Sequence, residues 1–273
     1  MDQAKKRALE EKAKRIRYLT VDEIGHLGVG HIGGCLSIAE VLAVLYFDLM
    51  KIDPKDPQLK GRDRLVLSKG HAGPALYAAL AERGYFDTAL LHTLNQPGTI
   101  LPSHCDMRKT PGVDMTAGSL GQGLSCAVGM AKAAKVFGED ITVYCIIGDG
   151  ESQEGQIWEA SMLAAQLKLD NLVVFLDYNN MQIDGMVDKI NSLAKPEARW
   201  ASFGFHTFAV DGHNVEEIED AVKLAGEQKG APSLIVMKTT KGKGVSFIEQ
   251  AGAANHNMSL SAEQTRQALA ELI

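Results

Sequence analysis

The sequence predicts an α/β fold, a mostly parallel sheet flanked by helices on both faces. Three observations carry this. Residues 141–147, 172–177 and 234–238 are short, nearly continuous apolar runs, as strands buried on both faces would be. Residues 122–137 and 156–167 read as helices between and beside them. Strands that alternate with helices form parallel sheets through right-handed crossovers.

The remaining elements follow in order. Residues 2–25 read as an amphipathic helix, with Leu9, Ile16, Leu19 and Ile24 at helical spacing. Ser37-Ile38-Ala39-Glu40 has the pattern of a capping box and opens a helix through about residue 50. Pro54 and Pro57 mark a loop. Residues 64–68 suit a strand and 75–83 a helix. Residues 95–121 are rich in Gly, Pro and Thr and read as a long loop, which in a compact domain is usually functional. Residues 178–203 look irregular, and 205–210 form a strand. Asn214-Val215-Glu216-Glu217 caps a helix through about residue 228, and Ser261-Ala262-Glu263-Gln264 caps the terminal one. There is no internal repeat, and a single domain over 1–273 is the simplest organisation.

Composition narrows the function classes. The chain has 273 residues, 45% of them hydrophobic and 23% charged, enough to bury a core without disulfides. Its net charge of −6 argues against general nucleic-acid or membrane-surface binding. The basic cluster from Lys5 to Arg17 is interrupted by Glu10 and Glu11 and reads as a solvated helix face. The four cysteines form no CxxC pair; Cys126 and Cys145 lie in apolar runs and read as small core residues, so a reduced, cytoplasmic setting is expected. The charged N-terminus lacks a signal-peptide pattern, and no run reaches the length of a membrane span.

In a parallel sheet, ligands bind outside the carboxyl ends of the strands. Gly148-Asp149-Gly150 ends one predicted strand and Asn179-Asn180 follows the next, 28 residues later. Either cluster alone could be a turn. At this spacing the two strands are neighbours or near-neighbours, so Asp149 and Asn179 can point at one ion. A carboxylate and a carboxamide oxygen suit a hard cation such as Mg²⁺, which often completes its shell with phosphate oxygens. Flanking glycines let the backbone approach a phosphate, and a helix starting near Gly155 adds its positive end.

The pair of clusters resembles the thiamine diphosphate motif. Glu151-Ser152-Gln153-Glu154-Gly155-Gln156-Ile157-Trp158-Glu159-Ala160 is similar to transketolases in particular, as are Asp63-Arg64-Leu65-Val66-Leu67-Ser68-Lys69-Gly70-His71-Ala72 and Gly118-Ser119-Leu120-Gly121-Gln122-Gly123. The likeness runs from Gly30 to His256 and covers the family's N-terminal, diphosphate-binding domain. It implies that Asp149 and Asn179 bind Mg²⁺ (or Ca²⁺ or Mn²⁺) by side chain and Met181 by its carbonyl. It places Gly150, Glu151 and Asn179 at the cofactor, Leu120 and Ile183 packed on it, and Gly118 at its aminopyrimidine. His31 and His104 would bind ketose hydroxyls. His71 and His256 would approach both diphosphate and substrate. Glu154 would lie at an interface between protein chains and link two cofactors, with Glu159 a lesser member of that set. Val29 and Asn257 depart from the motif, which usually has Ser and Gly there. His26, His92, His206 and His213 lack motif context and read as structural.

The resemblance also implies a missing half. In the family, the next domain supplies the glutamate that activates the cofactor and the basic residues that hold substrate phosphates. The expectation is therefore a separate C-terminal subunit, in a heterodimer or heterotetramer, with ketol transfer from a ketose phosphate to an aldose as the reaction. The alternatives are another thiamine diphosphate carboligase, a transketolase for an unusual sugar, and a noncatalytic regulatory subunit. A nicotinamide-dependent enzyme is disfavoured, because Gly28-Val29-Gly30-His31-Ile32-Gly33 follows a helix rather than a strand. Lys241-Gly242-Lys243-Gly244 reads as a solvated loop.

Overall fold

The computed structural model describes residues 1–273. The longest helix, α1 (Gln3–Leu27), starts where Asp2 accepts from Lys5 N at 2.8 Å. It stops at Gly28, whose φ of 87° lets its N–H reach back to Ile24 O. Short helices α2 (Ile32–Leu36) and α3 (Ala39–Val44) lead to strand β1 (Arg64–Leu67) and helix α4 (Gly73–Arg83). No helix or strand occurs between residues 95 and 121, as expected. The regular half comprises α5 (Gln122–Phe137), β2 (Val143–Gly148), α6 (Gly155–Gln166), β3 (Leu172–Tyr178), α7 (Pro196–Phe203), β4 (His206–Asp211), α8 (Val215–Glu227) and β5 (Ser233–Lys238). A capping box at Ser261 opens the last helix, α9 (Ala262–Glu271).

All five strands are parallel, in the order β1-β2-β3-β5-β4. The pleat sends alternate side chains to opposite faces. Tyr144, Ile146, Val173 and Phe175 join α1, α3, α4 and α8 in one core, whereas Cys145, Ile147, Val174 and Leu176 join α5 and α6 in a second. That two-sided burial explains why these strands are apolar runs rather than alternating patterns. No helix is long and apolar enough to cross a membrane.

Three expectations need correction. The Ser37–Glu40 capping box does not form: Ser37 Oγ donates to Asp177 Oδ2, and Glu40 pairs with Arg17 and His213. Long-range partners outcompete the local cap. The segment 178–203 is not irregular throughout, since Met181–Gln182 pairs with Gly185–Met186 in a hairpin and Pro196 starts α7 at its favoured first-turn position. Cys126 is only half-buried, while Cys145 is buried as expected; all four thiols are free.

One core residue conflicts with its surroundings. Glu23 on α1 is fully buried, and neither of its carboxyl oxygens has a hydrogen-bond partner. Burial, with a smaller push from Asp22, raises its pKa well above the ordinary carboxylate value. A proton bound more tightly in the folded state stabilises the fold below the unfolded pKa. That contribution is lost as pH rises toward the folded pKa. Glu23→Met therefore should raise the urea unfolding midpoint more at pH 8 than at pH 5; an equal gain at both would show that Glu23 is not the source of the pH dependence.

Candidate functional site

The carboxyl ends of four strands meet over one cleft of about 510 Å³. After β1 come Ser68, Lys69 and His71; after β2, Asp149 and Gly150. At the end of β3 stand Asp177 and Asn179, and beyond β5 stand Thr239 and Lys241. The floor is a buried ion pair. Lys69 Nζ donates to Asp177 Oδ2 at 2.6 Å and to Gly34 O at 2.7 Å. Asp177 also accepts from Ser37 Oγ, Thr239 Oγ1 and Asn179 Nδ2. Burial alone would raise the Asp177 pKa; Lys69 and the hydroxyl donors reverse this and hold it below the usual carboxylate value.

Asp149 is in the opposite situation. It is 2% exposed and accepts only from Gly150 N and Asn180 N, at 2.8 and 2.5 Å. Asn180 aims its N–H there from a left-handed conformation, φ 60°, that Asn tolerates. Burial, together with the Asp177 charge, pushes the Asp149 pKa up to about 7. A nearby cation would relieve that cost. Asn179 Oδ1, already oriented by Met181 N at 3.0 Å, and the Met181 backbone line the same cleft. These oxygens suit a hard cation but do not complete its shell. No cluster of three or more His, Cys, Asp or Glu stands ready to hold a metal, so a cation here needs further oxygens, which a diphosphate has. The donor set therefore fits the cofactor implied by the motif.

Glu151 lines the cleft, but both its oxygens are engaged. They accept from Ser68 Oγ, Gly121 N and Gly148 N, bracing the two loops on either side. Gly150 approaches the hairpin so closely that a Cβ would fall 2.8 Å from Gln182 Cβ. Leu120, Glu154 and Ile183 also line the cleft, with Ile183 64% exposed at its rim.

Four histidines gather at one side of the cleft, two of them, His71 and His256, lining it. His31 lies 5.3 Å from His71, 5.6 Å from His104 and 5.4 Å from His256 between ring centroids, and His71 lies 5.0 Å from His256. All four have lowered pKa values. Burial dominates, taking His71 to about 2 with help from Lys69 and His256, and His256 to about 4 with help from Lys241 and His31. Burial likewise lowers His31 and His104. They are neutral at pH 7, so each carries one donor and one acceptor. Lys241 Nζ stands 3.1 Å from His256 Nδ1. An ammonium only donates, so Nδ1 accepts and the ring proton sits on Nε2. His104 Nδ1 contacts Ser103 Oγ at 3.2 Å, and Gly118 lies against the His104 ring.

The structure thus brings ten sequence-predicted residues to the cleft wall: His71, Leu120, Asp149, Gly150, Glu151, Glu154, Asn179, Met181, Ile183 and His256. His31, His104 and Gly118 stand behind them through the histidine contacts. Two basic residues escape the sequence reading. Lys69 carries no role in it. Lys241, expected in a solvated loop, is 4% exposed and lines the cleft, its pKa lowered to about 8 by burial and by Lys69. The rule that finds Asp149, that strand ends carry ligands, applies equally to β5 and would have found it. The other four histidines lie elsewhere: His26 stacks on His92, His92 pairs with Asp22, and His213 bridges Glu40 and Thr240 N; His206 starts β4.

Comparison with known proteins agrees with this geometry. Residues 9–272 match the family described as transketolase, thiamine diphosphate binding domain. The chain belongs to that family. It is 60% identical over 264 residues to the 6-deoxy-6-sulfo-D-fructose transketolase subunit SqwG of Clostridium sp. (strain MSTE9), covering 97% of this chain and 96% of that protein. It is 39% identical to one of the subunits of the apulose-4-phosphate transketolase of Phocaeicola vulgatus, at 97% and 93% coverage. The solved transketolase of Leishmania mexicana superposes with a TM-score of 0.90 at 34% identity, over 97% of this chain and 41% of that one. The chain thus spans about two fifths of that solved transketolase, and nearly all of two proteins named as transketolase subunits. It is a transketolase-type subunit carrying the thiamine diphosphate-binding portion.

The ion pair under the cleft is open to test. Lys69→Met leaves Asp177 buried and uncompensated and should destabilise the fold by about 3–5 kcal/mol in urea unfolding. A loss below about 1 kcal/mol would remove it from this central position.

Proposed function

We propose that this chain grips the diphosphate of thiamine diphosphate through a divalent cation and, with a separate C-terminal subunit, transfers a two-carbon ketol unit from a ketose to an aldose. The observation that carries this is Asp149: a buried carboxylate short of positive charge, facing Asn179 and Met181 across one cleft. In this reading Asp149, Asn179 and the Met181 carbonyl hold Mg²⁺, with Ca²⁺ or Mn²⁺ able to replace it. Gly150, His71, His256 and Lys241 face the diphosphate, and Leu120, Ile183 and Gly118 the organic rings. Glu151 acts by fixing the Gly121 and Gly148 backbones. When bound, the cofactor supplies the carbanion chemistry; the protein positions it and tunes its surroundings.

The chain's own contribution to transfer is a set of neutral imidazoles. His31, His104 and His256 donate to sugar hydroxyls, and an imidazole nitrogen left free to accept can take the proton of the hydroxyl that becomes a carbonyl on cleavage. Neutral rings can also pass a proton without first having to lose one. Glu154, exposed at the cleft rim, is assigned to the contact between subunits.

A partner is further supported by the surface. Ile183, Met186 and Ile190 are exposed beside the cleft, and Val136, Phe137, Met162 and Leu163 on the outer sides of α5 and α6. Two relatives named as subunits, matched over nearly their full length, favour a two-chain enzyme, which we take to be a heterodimer or heterotetramer in the cytoplasm. The same comparison bears on the donor. A ketose phosphate is the general expectation, but 60% identity to a sulfofructose transketolase subunit favours a sulfonated ketose.

Two measurements test this. In calorimetric titration with Mg²⁺ present, Asp149→Ala should abolish thiamine diphosphate binding; retained affinity would remove it from the metal site. Mixed with the partner subunit, His104→Ala should keep cofactor affinity and lose about 10²-fold in transfer rate. Unchanged kinetics would exclude a substrate role.

A further inference from the structure

Behind the histidine group lies a second cleft of about 150 Å³. His31 stands between the two, since its ring contacts His71 and His256 of the first cleft and it lines the second itself. Val29, Asn95, Ser103 and Asn257 line the second cleft, and none of its nine lining residues is Lys, Arg, Asp or Glu. Its lip is built rather than loose. Val29 and Gly30 pair with Ser259 and Met258 in a short antiparallel ladder, whose register carries Asn257 across from His31. Asn95 is held in a left-handed conformation, φ 55°, by its N–H to Leu101 O. Val29 and Asn257 are also the two positions at which the sequence departs from the transketolase motif.

We infer that this cleft receives the remote end of the ketose donor, the carbons beyond those the histidines hold, and that Asn257 and Val29 set which terminal group is accepted. The inference rests on the proposed ketol transfer. A ketose reacts at its first two carbons, so a sugar held there by His31 and His104 must extend its tail past those rings. The donors that meet the tail are the Asn257 and Asn95 amides and the Ser103 hydroxyl, all uncharged. Neutral donors suit hydroxyls and a singly charged tetrahedral oxyanion such as a sulfonate. A doubly charged phosphate gains most from guanidinium or ammonium partners; this chain's share of the lining has none, so its contribution to the choice is the neutral set around Asn257 and Val29.

The test uses the chain reconstituted with its partner, thiamine diphosphate and Mg²⁺, with three donors. These are 6-deoxy-6-sulfofructose, fructose 6-phosphate and hydroxypyruvate, which has no carbon beyond the third. Asn257→Ala should raise KM for the sulfonated hexulose about five- to tenfold more than for hydroxypyruvate. Val29→Lys should shift the ratio of kcat/KM toward the phosphate over the sulfonate. Equal effects of Asn257→Ala on long and short donors, or no shift in the head-group ratio, would overturn the inference while leaving ketol transfer standing. A wild-type mixture inactive with hydroxypyruvate as well would overturn the proposed function and the inference together.

Discussion

The buried Lys69–Asp177 pair is the constraint from which the rest of the site follows. It joins the ends of β1 and β3, and through Gly34, Ser37 and Thr239 it adds α2 and the end of β5. A buried pair of this kind contributes little net stability compared with an apolar substitute. What it supplies is position and field. Because Lys69 is engaged with Asp177, its charge is largely neutralised there, and Asp177 in turn disfavours ionisation of Asp149. The cleft is thus organised around a buried carboxylate whose charged form a cation would stabilise.

The histidines show the same avoidance of surplus charge. His31 lies within 5.3–5.6 Å of the other three imidazoles, and such neighbours would repel strongly if protonated. Burial lowers the pKa of all four, and nearby lysines add to this for His31, His71 and His256. Their hydrogen bonds then have a direction set by neighbours, as Lys241 sets that of His256.

Much of this is legible in the residues themselves. The strands buried on both faces have no polar face to disguise them, and Asp149 and Asn179 announce themselves because they follow such strands immediately. What is not legible depends on contacts remote in sequence. Ser37 matches a helix-cap pattern, yet it is drawn to Asp177, 140 residues away. Lys241 sits among glycines and resembles a solvated loop residue until β5 is placed next to β3. The helix at 196–203 is hidden by its polar, irregular surroundings, although Pro196 at its start and Gly204 at its end are ordinary helix punctuation. The assignment of residues to the metal comes from motif resemblance; the cleft gives it a physical reason.

Gly33 has a consequence for anyone wishing to redesign the histidine side of the cleft. A Cβ at that position would lie 2.0 Å from Asn255 Oδ1, while Gly33 O accepts from Gly242 N and Asn255 Nδ2 donates to the Lys241 and Ile248 carbonyls. The segments bearing His31, Lys241 and His256 are therefore riveted together at one backbone crossing. Grafting a loop from a cousin enzyme would disturb all three at once. Engineering is confined to side chains on the exposed lip, where changes leave that rivet intact.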